Sequence, residues 1–243
     1  MRPIERGPCP LDSSGKKVVF QEYAHARPKL LANLGEYCSY CEIQLSYLAT
    51  EHIRHKNHNP KLEREWSNFL LACPSCNSTK GTKIDTQADV DDRLWPHLHR
   101  TFDAFDYGPG GVVRVRTTGD PRFVARAKAT AAMVGLCKRP GSGLTAEQVL
   151  RGSDPRWKKR WDVWKTATDM REDLRESDSL KLREFALKCA RLSGFWSVWM
   201  TVFGDDEQMR LALCRPDVFP GTAPKRVFSA SGSEPMARPL TSG

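Results

Sequence analysis

Four cysteines of the chain form two closely spaced pairs, Cys38 with Cys41 and Cys73 with Cys76. Two residues separate the cysteines of each pair, a spacing at which both sulfurs can bind one metal ion. Two such pairs supply the four thiolates of a tetrahedral structural zinc site, with zinc–sulfur bonds of about 2.3 Å. We therefore predict a closed Zn²⁺ site that leaves no position for water and helps to fold the segment between the pairs.

The alternative is that these cysteines are two unrelated pairs of buried thiols, which the repeated spacing disfavours. The chain contains eight cysteines, and those without this spacing are expected to be ordinary buried residues. They are Cys9, Cys137, Cys189 and Cys214. Paired cysteines more often hold metal than form disulfides in a reducing compartment, which agrees with a cytoplasmic protein.

The segment between the cysteine pairs predicts a strand that ends in two reactive side chains. Residues 43–50 are rich in apolar and β-branched types and lead into Glu51 and His52. A basic loop follows at residues 54–61. Neighbouring side chains of a regular strand point to opposite faces, so Glu51 and His52 can serve one site only if the strand ends or bends there.

The second cysteine pair predicts the start of a short helix. Pro74 suits the first helical turn and Gly81 suits the end, so we place the helix start at Cys73. Asn77 and Lys80 lie three residues apart and therefore share one face of this helix. Zinc would hold the strand and the helix together as a small ββα unit.

The motifs of this segment resemble those of zinc-containing HNH endonucleases, also called ββα-metal nucleases. They are Cys38-Ser39-Tyr40-Cys41, Glu51-His52-Ile53, Trp66-Ser67-Asn68-Phe69-Leu70-Leu71-Ala72 and Cys73-Pro74-Ser75-Cys76-Asn77-Ser78-Thr79-Lys80-Gly81. The resemblance implies that His52 is the general base and that Asn68 braces the loop holding this base. It also implies that Glu51 and Asn77 bind a catalytic divalent ion, Mg²⁺ or Mn²⁺. Many HNH enzymes have Asp before the first His and His at the last position, so this chain is an HNN variant.

Further segments are similar to the PtuB-like HNH nuclease subunits of bacterial Septu anti-phage systems and to their retron-associated relatives. These segments are Met1-Arg2-Pro3-Ile4, Leu94-Trp95-Pro96, the helix around residues 125–137 and Phe219-Pro220-Gly221-Thr222. Glu before the catalytic His is usual in this subgroup. The similarity implies a DNA-cleaving effector of a defence complex, with a PtuA-like ATPase as its partner. Two alternatives stay open: a stand-alone nuclease of restriction or homing type, and a zinc-binding nucleic-acid module without catalysis.

The residue types of this segment suit phosphodiester hydrolysis. An imidazole with a pKa of about 6.5 can deprotonate water, while a hard divalent ion neutralises charge on the phosphate. We predict DNA contacts for Lys80, Arg54 and Lys56, with an exposed helix end as the alternative for Lys80. His55 and His58 are open between contact with metal or substrate and a solvated loop.

The whole chain predicts an α+β fold that is predominantly α. Residues 1–36 read as a lead-in loop and a short helix with Leu30, Leu31 and Leu34 at helical spacing before Gly35. The HNH module is expected at residues 37–107, and a mainly helical body that could dock a partner at residues 108–228. Residues 229–243 are small and polar, and we expect them to be disordered.

Local signals place the elements of the helical body. Glycines around position 110 predict a hairpin or an irregular connector. Asp120-Pro121 and Asp154-Pro155 each predict a helix start, and Pro140-Gly141-Ser142-Gly143 predicts a break between the two helices. The inward stripe of the first helix is expected to be Phe123, Ala127, Val134 and Cys137.

Tryptophans at helical spacing mark the helix that follows Asp154. Trp157, Trp161 and Trp164 are expected to pack into the core. The neighbouring Lys158, Lys159 and Arg160 would then form an outward cationic face, which could meet an acidic ATPase surface, the DNA backbone or only solvent. Later apolar stripes are predicted at Phe185, Cys189 and Leu192, and at Phe195, Trp196, Trp199 and Phe203.

The charge of the chain favours a polyanionic partner. Lys and Arg number 38 against 29 Asp and Glu, a formal net charge of +9, which favours nucleic acid over an acidic partner. No apolar run approaches the roughly 20 residues of a membrane span, and the first residues lead into no signal-peptide core. We therefore expect a cytoplasmic protein without a membrane partner.

Overall fold

The structure is a computed structural model that describes residues 1–139 and 154–228. The predicted break at residues 140–143 and the predicted disorder of residues 229–243 lie outside the described residues. The α+β fold with predominantly helical content is confirmed. No helix within the described ranges has both the length and the apolar character that a membrane span requires.

The described helices lie mostly in the second half of the chain, and the short strands lie in the first. The helices are α1 (Arg27–Leu34), α2 (Pro74–Lys80), α3 (Gln87–Asp91), α4 (Pro121–Val134), α5 (Pro155–Glu176), α6 (Leu180–Ser193), α7 (Trp196–Val202) and α8 (Glu207–Ala212). The strands are β1 (Ala49–His52), β2 (Phe69–Ala72), β3 (Phe105–Gly108) and β4 (Val112–Val115). β1 pairs with β2 and β3 with β4, each pair antiparallel.

The predicted ββα unit is formed by β1, β2 and α2. Strand β1 ends at His52, which lies opposite Phe69 of β2. Helix α2 has Cys73 as its N-cap, where the sulfur accepts a hydrogen bond from the amide of Cys76. The helix ends at Gly81, whose positive φ of 50° suits glycine. The predicted start and end of this helix are therefore confirmed.

A buried glutamate directly after the first cysteine pair joins distant parts of the chain. Glu42 accepts hydrogen bonds from the amide of Arg2 at 2.7 Å, and from the amide and hydroxyl of Ser197 at 2.7 and 2.6 Å. Its own backbone carbonyl accepts from the amide of Phe195 at 2.9 Å. The turn that carries Cys41 is thereby bonded to the N-terminal segment and to α7.

Several local predictions for the first and middle segments are confirmed. Helix α1 buries Leu30 and Leu34 and ends before Gly35. The glycine-rich connector joins β3 to β4 as a hairpin. Helix α4 starts at the cap Asp120 and ends before Gly135. Its inward side holds Ala127 and Val134, whereas Phe123 is only half-buried and Cys137 lies beyond the helix end.

The predicted orientation of α5 is wrong. Trp161 is 40% exposed, and Trp157 and Trp164 are half-buried. The side chains that α5 buries are instead Arg156, Arg160, Val163, Ala167 and Leu174. Each buried guanidinium donates to at least one acceptor of another segment, and such pairing lowers the cost of burying a charge.

Arg160 therefore does not belong to an outward cationic face. Its Nε donates to the carbonyl oxygen of Gly111 at 2.8 Å, and the side chain is buried. Lys158 and Lys159 are exposed, as predicted. A Cβ atom at Gly111 would lie 2.5 Å from the carbonyl oxygen of Trp157, so only glycine permits this close approach of α5 to the hairpin.

A run of buried aromatic residues lies on α7 and at its two ends. Phe195, Trp196, Trp199 and Phe203 are all fully buried, which confirms that predicted stripe. The stripe predicted on α6 is wrong in part, because Phe185 and Leu192 are exposed and Cys189 is half-buried. Helix α6 uses smaller residues for its contact and buries Ala186, Leu187 and Ala190.

Candidate active site and zinc centre

The four paired cysteines meet in one buried cluster. The sulfurs of Cys38, Cys41, Cys73 and Cys76 all lie within 4.8 Å of one another, and the sulfurs of Cys41 and Cys73 are 3.6 Å apart. Sulfurs bonded tetrahedrally to one zinc ion are expected about 3.8 Å apart, so the cluster fits zinc. The pKa of Cys73 is lowered by hydrogen bonds from the other three thiols, which favours a thiolate.

A cavity of about 460 Å³ lies next to the cysteine cluster, between β1, α2 and the loop after β1. Apart from the cysteines, seven residues are predicted as catalytic, metal-binding or DNA-contacting, and five of these line the cavity, whereas Asn68 and Arg54 do not. The lining includes Glu51, His52, His55, Lys56, Asn77 and Lys80. Glu51 and His52 share this cavity because β1 ends at His52, which meets the condition set by strand geometry.

His52 is held in a single tautomer by its surroundings. Its Nε2 lies 2.8 Å from the carbonyl oxygen of Glu63, and a carbonyl can only accept, so Nε2 carries the proton. Nδ1 is then the nitrogen with the free lone pair, as a general base requires. The rings of Tyr23 and Phe69 contact the imidazole edge-on at centroid distances of 4.8 and 5.3 Å.

The environment of His52 keeps the imidazole neutral at physiological pH. Burial lowers its pKa, and the charges of Lys56 and Lys80 act in the same direction. The hydrogen bond to the carbonyl of Glu63 opposes this shift only in part. The ring is therefore unprotonated and able to accept a proton near pH 7.

Asn68 is buried behind the cavity and bonds the loop that follows β1. Its Oδ1 accepts from the amide of Arg54 at 2.8 Å, and its Nδ2 donates to the carbonyls of Arg54 at 3.0 Å and Leu62 at 3.2 Å. Leu62 precedes the residue that holds the imidazole of His52. These contacts fit the bracing role that the HNH resemblance implies for Asn68.

Glu51 and Lys80 form a buried ion pair at the floor of the cavity. Their side chains are each 2% exposed, and Glu51 Oε1 lies 2.6 Å from Lys80 Nζ. The other carboxylate oxygen accepts from the hydroxyl of Tyr40 at 2.5 Å. Lys80 also donates to the carbonyl of His52 at 2.6 Å. An exposed helix end is therefore the wrong interpretation of Lys80, because the last turn of α2 packs against β1. DNA contact by Lys80 stays a prediction, and its ammonium is already held by Glu51 and the carbonyl of His52.

Two of the oxygen donors that line the cavity are the carboxylate of Glu51 and the amide of Asn77, the pair that the HNH resemblance implies as metal ligands. Asn77 is exposed and lines the cavity. Burial raises the pKa of Glu51, and the neighbouring Lys80 opposes that rise. A carboxylate offers about four lone-pair sites, so an oxygen that already accepts from Lys80 or Tyr40 can still coordinate metal. Hard oxygen donors of this kind fit Mg²⁺ or Mn²⁺.

The cations of the loop after β1 differ in their availability to a substrate. The Arg54 guanidinium donates to the carbonyl of Asp85 at 2.9 Å and also bonds the side chain of Asn59. DNA contact by Arg54 stays a prediction, and these bonds leave it the N–H groups of its other terminal nitrogen. Lys56 lies at the cavity edge, with Nζ 3.6 Å from a Glu63 oxygen and 4.2 Å from the centre of the Tyr23 ring.

The two histidines of this loop have different positions. His55 lines the cavity, and its pKa is lowered by its partial burial and by the neighbouring His58. His58 is exposed and its Nδ1 lies 3.3 Å from a carboxylate oxygen of Asp85. Contact with substrate is therefore sterically open to His55, whereas His58 points toward Asp85 at the surface.

Sequence patterns did not identify two aromatic residues that shape the site. Tyr23 lines the cavity and contacts His52, although it lies upstream of every motif. Tyr40 lies between the cysteines of the first pair and donates to Glu51. The sequence did contain a signal for Tyr40, which is its position between Cys38 and Cys41. A residue inside a metal-binding turn lies close to the strand that the metal site holds.

Comparison with known proteins finds a family match for one segment of the chain. Residues 38–83 match the family model described as HNH endonuclease. The matched segment contains both cysteine pairs, the β1–β2 sheet and α2. Among curated proteins no sequence matches this chain. The chain therefore contains an HNH endonuclease domain with a cysteine metal-binding cluster, and the HNH part of the sequence prediction is confirmed.

Proposed function

We propose that this protein is a metal-dependent endonuclease that hydrolyses the phosphodiester bonds of DNA. The observation that carries the proposal is the placement of His52 in the HNH domain. Its Nε2 is bonded to the carbonyl of Glu63, and the imidazole shares one cavity with Glu51 and Asn77. An oriented imidazole beside hard oxygen donors can supply the general base and the metal ligands for hydrolysis of a phosphodiester.

In the proposed reaction, Nδ1 of His52 removes a proton from a water molecule as its oxygen bonds to phosphorus. The P–O bond to the leaving sugar oxygen breaks in the same step, and solvent water protonates that oxygen. The carbonyl of Glu63 orients the imidazole by accepting a hydrogen bond from Nε2–H. This bond becomes stronger as the ring gains positive charge. Asn77 and Glu51 would hold a divalent ion, which supplies neutralisation of the phosphate charge when bound. Lys56 at the cavity edge is placed to contact a neighbouring phosphate of the backbone.

Cleavage of a supercoiled plasmid tests this proposal. Zinc-loaded protein is incubated with Mg²⁺, with Mn²⁺ or with no added divalent ion, both alone and together with the product of the neighbouring gene. We expect nicked and linear products only when a divalent ion is present. Intact plasmid under all of these conditions, with zinc content verified, would contradict a DNA nuclease. A matching single-stranded RNA substrate distinguishes DNA from RNA cleavage.

We further propose that the nuclease acts in the bacterial cytoplasm as the effector of an anti-phage complex with an ATPase. The similarity of the flanking segments to PtuB-like subunits supports this role, as does the reducing environment that suits a cysteine-bound zinc site. Co-purification of the chain with a PtuA-like ATPase tests the partnership. Cleavage by the isolated chain at preferred sites would favour a stand-alone nuclease, and zinc-dependent DNA binding without cleavage would favour a non-catalytic module.

The Glu51–Lys80 pair yields a prediction that separates stability from catalysis. Glu51→Gln and Lys80→Met each leave a buried charge without its partner, so each should lower the free energy of unfolding by about 3–5 kcal/mol. The double variant removes both charges and should lose less stability than the sum of the single losses. Cleavage should stay strongly reduced in the double variant because the neutral amide introduced by Glu51→Gln lacks the negative charge with which the carboxylate of Glu51 would hold the divalent ion.

Denaturant unfolding and plasmid cleavage measure the two effects separately. Lys83→Met is the matched control, since Lys83 is an exposed lysine just beyond α2. It should leave both the unfolding free energy and the cleavage rate near their wild-type values. Full cleavage by the Glu51→Gln/Lys80→Met variant would show that Glu51 has only a structural role.

A further inference from the structure

A buried arginine of the helical body contacts the cysteine cluster of the HNH domain. Arg156 lies in the first turn of α5 and is 2% exposed. One terminal nitrogen of its guanidinium lies 2.9 Å from the sulfur of Cys76, a residue 80 positions earlier in the chain. The two residues are therefore joined by tertiary structure alone.

The remaining donors of Arg156 are bonded to fixed acceptors. The nitrogen that contacts Cys76 also donates to the carbonyl of Val134 at 2.9 Å, and the other terminal nitrogen donates to the carbonyl of Gly135 at 3.2 Å. Nε lies 2.8 and 2.9 Å from the two carboxylate oxygens of Asp154, the N-cap of α5. The guanidinium is thus fixed between the end of α4, the start of α5 and the sulfur.

The negative charge of a four-cysteine zinc centre explains why a cation lies next to this sulfur. Zinc bound by four thiolates has a net charge of about −2, and a buried anion is costly unless hydrogen bonds and positive charge compensate it. An N–H bond from a charged donor to an anion is stronger than one between neutral groups. Arg156 supplies both the positive charge and the directed N–H group at Cys76.

We propose that Arg156 is a positioning residue of the zinc centre and couples zinc binding to the docking of α5. The coupling is reciprocal by thermodynamic linkage, so that zinc favours docked α5 and docked α5 favours bound zinc. The proposal rests on the cysteine cluster as a zinc site and is independent of whether the protein cleaves DNA. Through this contact, the stability of docked α5 would depend on whether zinc is bound to the four cysteines.

The rate of zinc loss to an excess of chelator tests the proposal. Arg156→Met keeps a long side chain but removes the charge and the N–H donors, and we expect zinc to be lost about 10- to 100-fold faster. Arg160→Met is the matched control. Arg160 lies one turn later on the same buried face and acts on Cys41 only through its charge, because its hydrogen bond among the described residues goes to the carbonyl of Gly111. Its zinc loss should therefore accelerate far less than that of Arg156→Met.

Hydrogen exchange of the zinc-loaded proteins gives a second readout. The first turns of α5 should exchange faster in Arg156→Met than in wild type, whereas α4 keeps its protection. If Arg156→Met is not recovered folded, Arg156→Lys and Arg160→Lys replace the methionine pair, because lysine keeps the charge and loses the planar fork. Wild-type zinc retention in the Arg156 variant would overturn the proposal. Equal acceleration in the Arg160 control would also overturn it, because general loosening of α5 would then explain both.

Discussion

His52→Ala is expected to reduce DNA cleavage by about 10²- to 10⁴-fold, because it removes the nitrogen that takes the proton from attacking water. Zinc content should not change, since His52 is not part of the cysteine cluster. DNA affinity should also persist, because it depends mainly on phosphate contacts made by cations. Single-turnover plasmid cleavage, zinc analysis and a filter-binding assay measure these quantities on the same preparation.

A second substitution separates the base from the packing of its ring. His52 contacts Tyr23 and Phe69, so alanine removes contacts as well as chemistry. His52→Gln keeps an amide donor for the carbonyl of Glu63 but has no basic nitrogen, and it should be as inactive as alanine. His58→Ala is the matched control on the exposed loop. A wild-type cleavage rate in either His52 variant would show that His52 is not the general base.

The same assignment predicts how wild-type cleavage depends on pH. The neutral imidazole is the active form, and burial lowers its pKa below the usual value of about 6.5. Cleavage should therefore fall only as the pH drops below that value, and the rate should be level from pH 7 upward. A rate that keeps rising tenfold per pH unit through the neutral range would indicate another base.

Cys73→Ser is expected to destroy the fold of the HNH domain as well as its activity. It removes one thiolate from a site whose binding energy is folding energy, on the order of 10 kcal/mol for structural zinc in small domains. Serine can still cap α2 through its hydroxyl, so the loss reports on the metal and not on the helix cap. The variant should lose zinc and become insoluble or sensitive to protease.

Zinc analysis and thermal unfolding check this prediction. Cys189→Ser is the matched control, because Cys189 is half-buried on α6 and lies outside the cysteine cluster. It should keep one zinc per chain and a normal thermal midpoint. Wild-type zinc content and stability in Cys73→Ser would rule out a four-cysteine site.

Short-range physics made much of this protein predictable. A pair of cysteines with a two-residue spacer chelates metal wherever it lies in a fold, and proline after aspartate starts a helix by local geometry. The starts of α4 and α5, the end of α1 at Gly35 and the whole of α2 follow from such signals. The HNH motif is itself a local pattern, which is why it was visible without a structure.

The errors on α5 and at Lys80 share one physical cause, which is the burial of cations by partners that the sequence pattern does not reveal. Trp157 and Trp161 looked like core residues because apolar side chains usually face inward on a helix. Arg156 faces inward instead because Asp154, two carbonyls of the α4 end and the sulfur of Cys76 satisfy its donors. No periodicity in the sequence records such partners.

The sequence by itself determined which reactive groups are present: two cysteine pairs with the spacing that binds metal, an imidazole next to a carboxylate, and the ββα unit that carries them. Only the tertiary structure decided how these groups are paired. It placed Lys80 against Glu51 and Arg156 against Cys76. The reason is that a residue type specifies which bonds a side chain can make, whereas the partner is chosen by which segments pack together and by the cost of leaving a buried charge unpaired.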